Sequence, residues 1–291
     1  MNRLGAFAAL LRPRQWTKNL AVFAALVFAR RLTDFPSVVA VMEAFFAFCL
    51  ASSAAYVFND IRDREADRLH PLKAKRPIAA GAVGAGEGAV LAVVLAAAAF
   101  ALSSLGGVRL VYSVAAYLVL QAAYNLKLKH VPTLEVFALA SGFVIRVAAG
   151  AWVLAVEVSP WLLLCTMNLA LFLALAKRRN ELTEMEADAG AHRKVLESYS
   201  PHLLDQMISI VAAATVVTYA LYTLSEQTLR KFGSAHMIWT TPFVIFGVFR
   251  YLYLIHQKKL GGSPEWVLLT DVPILATVVL WAVTAAAIVY L

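Results

Sequence analysis

The stretch SVVAVMEAFFAFCLASSAAYVF, residues 37–58, decides the fold. It holds a single charged residue, Glu43, and its length matches the roughly 20 apolar residues an α-helix needs to cross a hydrocarbon core. A lipid-exposed strand would leave its backbone groups unsatisfied, so the run reads as helix. Working outward, comparable runs fall at 16–29, 89–105, 108–126, 131–156, 160–176, 206–225, 238–255 and 268–291. The run at 16–29 is the shortest. Across 291 residues, 61% are hydrophobic and 15% charged, with a mean hydropathy of +0.72. Soluble domains carry about a quarter charged residues. The expected fold class is therefore an all-α integral membrane protein of about nine transmembrane helices, in one domain spanning 1–291.

The basic residues orient that expectation. Arg3, Arg12, Arg14 and Lys18 precede or open the first run, without a cleavage site that would mark a removable leader. If each run crosses once, most of the 26 basic residues share the side of the N-terminus. They include Arg62, Arg64, Arg68, Lys73, Lys75, Arg76, Lys127, Lys129, Lys177, Arg178, Arg179, Arg193, Lys194, Lys258 and Lys259. The positive-inside bias then places the N-terminus in the cytoplasm. A net charge of +8 reports this bias and gives no reason to invoke nucleic acid. The two longest polar stretches, 59–88 and 177–205, fall on the same cytoplasmic side and form the candidate active-site loops. Cys49 and Cys165 lie inside apolar runs and read as small core residues. The histidines show no metal-ligand spacing.

Directly after residue 58 comes Asn59-Asp60-Ile61-Arg62-Asp63-Arg64-Glu65-Ala66-Asp67. If the helix continues, Asp60, Asp63 and Asp67 stand at i, i+3 and i+7 and share a face. Carboxylates so close repel one another, and a divalent ion such as Mg²⁺, which takes carboxylate and substrate-phosphate oxygens, relieves this. The competing reading is a solvated helix end balanced by Arg62, Arg64 and Arg68. Two arginines stand well inside apolar runs. Arg146 either binds a phosphate or pairs with a carboxylate, because burying it in hydrocarbon is expensive. Arg250, nearer a helix end, favours a structural role.

The motif Asn59-Asp60-x-x-Asp63-x-x-x-Asp67 resembles the first aspartate-rich motif of the UbiA superfamily of intramembrane transferases. Further stretches resemble its phosphoribosyl-transferring branch, which serves bacterial arabinan precursor synthesis for the cell wall. They include Arg12-Pro13-Arg14-Gln15-Trp16-x-Lys18-Asn19, His70-Pro71-x-Lys73-x-x-Arg76-Pro77, Tyr124-x-x-x-Leu128-Lys129, Gly142-Phe143-x-x-Arg146, Lys177-Arg178-x-x-Glu181, and Arg193-x-Val195-Leu196-x-x-Tyr199. The resemblance implies a helical bundle around a central cavity and Mg²⁺ at Asn59, Asp60, Asp63 and Asp67, with the three aspartates catalytic. It also implies phosphoribosyl diphosphate as donor and a polyprenyl phosphate as acceptor. The substrate-binding residues implied are Arg14, Lys18, Lys73, Arg76, Tyr124, Lys129, Glu135, Arg146, Lys177, Arg178 and Glu181. Two departures stand out: Lys177-Arg178-Arg179-Asn180-Glu181 replaces a second aspartate motif, and Glu135 stands where aspartate is expected. An aromatic prenyltransferase on the same fold is the alternative, disfavoured by that basic cluster. An anion transporter is the alternative of another class, and it predicts inverted repeats or broken midplane helices that the sequence lacks. Membrane lipids are the expected surroundings, and the oligomeric state, including a homo-oligomer, is left open.

Overall fold

The computed structural model describes residues 2–71, 73–187, 194–258, 260, 262 and 264–290. Arg193 and Lys259, counted above among the cytoplasmic charges, lie outside the described residues, as does 188–193 of the second polar stretch. The chain divides into two compact units, one comprising residues 1–129 and 142–157, the other 130–141 and 158–291. Among the described residues there is helix and no strand.

The first unit contains α1 (Arg3–Leu11), α2 (Ala24–Phe28), α3 (Phe35–Arg62), α4 (Arg64–Leu69), α5 (Ala85–Leu105) and α6 (Val108–Leu126), with the later part of α7 (Leu134–Val153). Asp34 starts α3 by accepting the Ser37 N–H at 3.3 Å, with a proline in the first turn. The α3 helix is the centre of this unit. Its buried Ala44, Ala47, Ala51, Ser52, Ser53, Ala54 and Ala55 let neighbouring backbones come close. By contrast, α5 turns Val90, Val93 and Val94 outward, as a lipid-facing helix does.

The second unit contains the start of α7, then α8 (Pro160–Ala187), α9 (Pro201–Leu224), α10 (Glu226–Phe232), α11 (Thr241–Gln257), α12 (Pro264–Thr270) and α13 (Val272–Tyr290). Ser200 caps α9 through the Leu203 N–H at 3.1 Å. Gly233, at φ +73, supplies the left-handed residue that ends α10.

Among the described residues, seven helices are long and apolar enough to cross a membrane. They correspond to seven of the nine expected runs. The run at 108–126 is a continuous helix, α6, whose mean hydropathy is lowered by Arg109, Gln121, Asn125 and three tyrosines. The run at 16–29 is built differently, as a 3₁₀ helix over Pro13–Phe23 followed by the short α2. Eleven residues is long for this geometry, and long-range contacts explain its persistence. A 3₁₀ helix repeats every three residues, which brings Trp16, Asn19 and Val22 onto one face. Trp16 donates to Ser53 Oγ at 3.1 Å, and Asn19 donates to Ser52 Oγ and Cys49 Sγ at 3.3 Å. Val22 meets Gly150 so closely that a Cβ there would lie 2.0 Å from the Val22 carbonyl oxygen. Gly150→Ala is therefore expected to lower stability by about 1–3 kcal/mol, as overpacking does, which thermal unfolding in detergent will measure.

Candidate active site

The aspartate motif straddles a break. Asp60 lies in the last turn of α3, Asp63 at the junction, and Asp67 in α4. The helical hydrogen bonds continue through it, from the Asp63 N–H to the Asn59 carbonyl (2.9 Å) and from the Asp67 N–H to the Asp63 carbonyl (2.8 Å). The carboxylates nonetheless divide into a pair and a single group. Arg76 Nη1 donates to Asp60 Oδ1 at 3.0 Å and to Asp67 Oδ2 at 2.6 Å, so one nitrogen bridges the pair. Arg12 also donates to Asp60 Oδ1, and its guanidinium lies 4.9 Å from the centre of the Tyr56 ring. Asp63 is held apart by Lys129, whose Nζ reaches its two oxygens at 2.7 and 2.8 Å.

Arg76 is aimed by its own loop. Gly81, at φ +76, allows the tight turn that follows. Ile78 and Val83 then bury against Leu10, Val57 and Leu95 and pin the loop to the unit's core. Asp60 and Asp67 are only 2% and 4% exposed. They are not a solvated helix end, and their balancing cations are not the sequence neighbours. Arg64 and Arg68 bond Glu65 instead, and Arg62 donates to the Leu126 carbonyl at 3.4 Å. Three carboxylates thus meet three cations, Arg12, Arg76 and Lys129, all contributed from elsewhere in the chain.

The donor set fits a hard divalent cation. Asp60 Oδ2 and Asp67 Oδ1 accept no hydrogen bond among the described residues, while their partner oxygens are anchored. Among the described residues no three acidic, histidine or cysteine side chains converge on one point. Two carboxylates completed by substrate phosphate is the arrangement typical of Mg²⁺. Asn59, next to Asp60 in sequence, Lys73 in the following turn and Tyr124 on α6 are each half-buried.

Arg14 is exposed and Lys18 half-buried on the 3₁₀ segment, off the face that carries Trp16, Asn19 and Val22. Arg12, in the same motif, was not singled out as a site residue, although it is the one that reaches the aspartates. Pro13 gives the available signal: the residue before a proline disfavours continued helix, so α1 ends there and the chain turns. Arg146 pairs with no carboxylate among the described residues. It is 4% exposed and donates to Asn19 Oδ1 (2.7 Å), the Gly142 carbonyl (2.7 Å) and Tyr117 Oη (3.0 Å). The Tyr117 ring, centred 4.5 Å away, adds cation–π stabilisation.

In the second unit, Arg178 on α8 donates through Nε to both oxygens of Glu135 at 2.8 Å, and through Nη1 to Glu181. Glu135 is fully buried. Glu135, Arg178 and Glu181 therefore come together as one buried ionic cluster, with Lys177 half-buried next to it in sequence. Tyr199 accepts the Thr133 N–H at 2.6 Å beside this cluster, and burial pushes its phenol above the ordinary value. Arg250 has the structural role expected of it. It grips Asp271 through Nε (3.2 Å) and Nη2 (2.8 Å), and Asp271 caps α13 at the Ile274 N–H. The Arg250 hydrogen bond holds the Asp271 carboxyl below the usual range.

Comparison with known proteins follows the same lines. The model of the UbiA prenyltransferase family matches residues 20–270. The decaprenyl-phosphate phosphoribosyltransferase of Corynebacterium glutamicum is 37% identical over 287 residues, covering 97% of this chain and 86% of that protein. Its namesake in Mycolicibacterium smegmatis is 36% identical over 300 residues, covering 99% and 94%. The structure of a UbiA homolog from Archaeoglobus fulgidus bound to GPP and Mg²⁺ shares the fold, with a TM-score of 0.73 over 98% of this chain and all of that one, at 18% identity. With the family model covering most of its length and two near-full-length relatives above a third identical, the chain belongs to the UbiA prenyltransferase family.

Proposed function

We propose that this protein transfers the 5-phosphoribosyl group from phosphoribosyl diphosphate to a polyprenyl phosphate of the decaprenyl type, releasing pyrophosphate. The observation that carries the reading is the buried pair Asp60 and Asp67, gathered on one guanidinium nitrogen with one oxygen of each open. The relatives' names support the choice of donor and acceptor, and the Mg²⁺ in the archaeal fold neighbour supports the choice of metal.

Asp60 and Asp67, with Asn59 and Asp63 on the same motif, would hold a divalent ion such as Mg²⁺, which would supply positive charge to the departing pyrophosphate. In the first unit, Arg76, Lys129 and Lys73 contact diphosphate oxygens and Tyr124 the ribose. In the second unit, Lys177 and Glu181 are substrate ligands, with Arg178 and Glu135 fixing Glu181. Arg14 and Lys18 meet the acceptor's phosphate at the membrane interface, and Arg146 holds the first segment in place through Asn19. The acceptor oxygen is already anionic, so no strong general base is required. Positioning and fixed charge supply the acceleration. The N-terminus is cytoplasmic, and the 3₁₀ segment and α6 bring the crossings to nine. The active face looks into the cytoplasm from the inner cell membrane.

Purified protein given Mg²⁺, labelled phosphoribosyl diphosphate and a polyprenyl phosphate is expected to move label into the organic-extractable lipid. Label that stays wholly aqueous overturns the reading, and prenylation of an aromatic acceptor from an isoprenyl diphosphate replaces it with the alternative. Lys177→Ala is expected to raise KM for the donor about tenfold, the scale of one lost hydrogen bond to a charged group. KM for the lipid should stay unchanged, and the opposite split would mean the two pockets are exchanged.

A further inference from the structure

The aspartates are neutralised one for one by the chain's own cations, and this has a consequence for how a metal ion enters. Adding a divalent ion to three carboxylates already matched by Arg12, Arg76 and Lys129 leaves two uncompensated positive charges in a buried place. Either one of the three cations withdraws or an anion arrives with the metal.

The three cations are not equally placed to withdraw. Arg76 is fastened to two carboxylates at once, through a planar guanidinium. Arg12 is fastened to Asp60 and stacked on Tyr56. Lys129 holds Asp63 alone, from the short turn Leu128–His130 just beyond the end of α6, on a flexible four-carbon stem. Its Nζ covers both oxygens of Asp63, leaving that carboxylate no oxygen clear of it. The Asp63 side chain is nonetheless 30% exposed, against 11% for Lys129, so an incoming ion can reach the carboxylate.

We propose that Lys129 occupies the Asp63 side of the cation site in the donor-free protein, and that it is exchanged for the divalent ion when the diphosphate arrives. Lys129 then passes from Asp63 to the diphosphate, so one residue links metal entry to donor binding. The proposal rests on the metal reading of the aspartate cluster given above. It gives Lys129 two successive partners, and its sign is unusual for a site residue: removing it should help the metal bind.

The test is Mn²⁺ titration, without donor or pyrophosphate, of detergent-solubilised protein followed by electron paramagnetic resonance. Lys129→Met is expected to bind Mn²⁺ about tenfold more tightly than the unmodified protein. A single charge a few ångströms from a divalent ion is worth at least that in a partly buried site. In the Asp63→Asn background the same substitution should give only a small part of that gain, because the effect runs through Asp63. Activity of Lys129→Met should fall despite the tighter metal. Equal or weaker Mn²⁺ binding by Lys129→Met overturns the exchange while leaving the metal site standing. A full gain in the Asp63→Asn background also overturns it, as general charge removal. If the unmodified protein binds no Mn²⁺ with or without pyrophosphate, both the exchange and the metal reading are lost.

Discussion

Asp63→Asn is expected to reduce turnover by about a thousandfold while the protein remains folded and inserted. A cation at a departing pyrophosphate is worth several kcal/mol of transition-state stabilisation, and each 1.4 kcal/mol is about a factor of ten in rate. The structural cost should be small. The Asp63–Lys129 pair is partly exposed, and such ion pairs contribute about 0–1 kcal/mol. Asp63 is therefore a cleaner probe than the buried Asp60 and Asp67, which share Arg76, Asp60 also holding Arg12. Measurement of kcat together with thermal unfolding in detergent separates the effects. Retention of most activity by a folded variant would remove Asp63 from the chemistry.

The second large effect is on stability. Glu135→Ala removes a carboxylate whose two oxygens both bind the buried Arg178 guanidinium. Breaking one partner out of a buried ion pair costs about 3–5 kcal/mol, because the remaining charge has lost its compensation. Thermal or denaturant unfolding in detergent should show a loss of that size for Glu135→Ala. A smaller loss is expected for the double variant with Arg178→Met, which removes the stranded charge as well. If Glu135→Ala unfolds like the unmodified protein while KM for the donor rises, Glu135 is a ribose ligand first and a structural residue second.

Much of this architecture was legible from the run at residues 37–58 and its counterparts. Hydropathy located α3, α5, α6 and α13 to within a few residues, since burial in lipid demands unbroken apolar length whatever the tertiary packing. The segment at 16–29 did not yield to that rule. Its 3₁₀ form depends on Ser52, Ser53, Cys49 and Gly150, none of them near it in sequence.

The site divided the same way. The spacing of Asp60, Asp63 and Asp67 marked the cluster, because three carboxylates at a helix end are a strong local signal. Their counter-ions were not readable from it. Arg62, Arg64 and Arg68 are the neighbours by sequence, yet Arg12 and Lys129 reach in from 48 and 66 residues away. Arg146 shows the limit of composition: a buried charge suggested a carboxylate or a phosphate. The structure satisfies it with an amide, a carbonyl, a phenol and aromatic faces.

The direct measurement is the anomalous scattering of crystals soaked with Mn²⁺ and pyrophosphate. A peak should appear at the aspartate motif beside the pyrophosphate, with Lys129 moved off Asp63. Ordered pyrophosphate beside aspartates that still hold only Arg12, Arg76 and Lys129, with no anomalous signal, would contradict the account at its foundation.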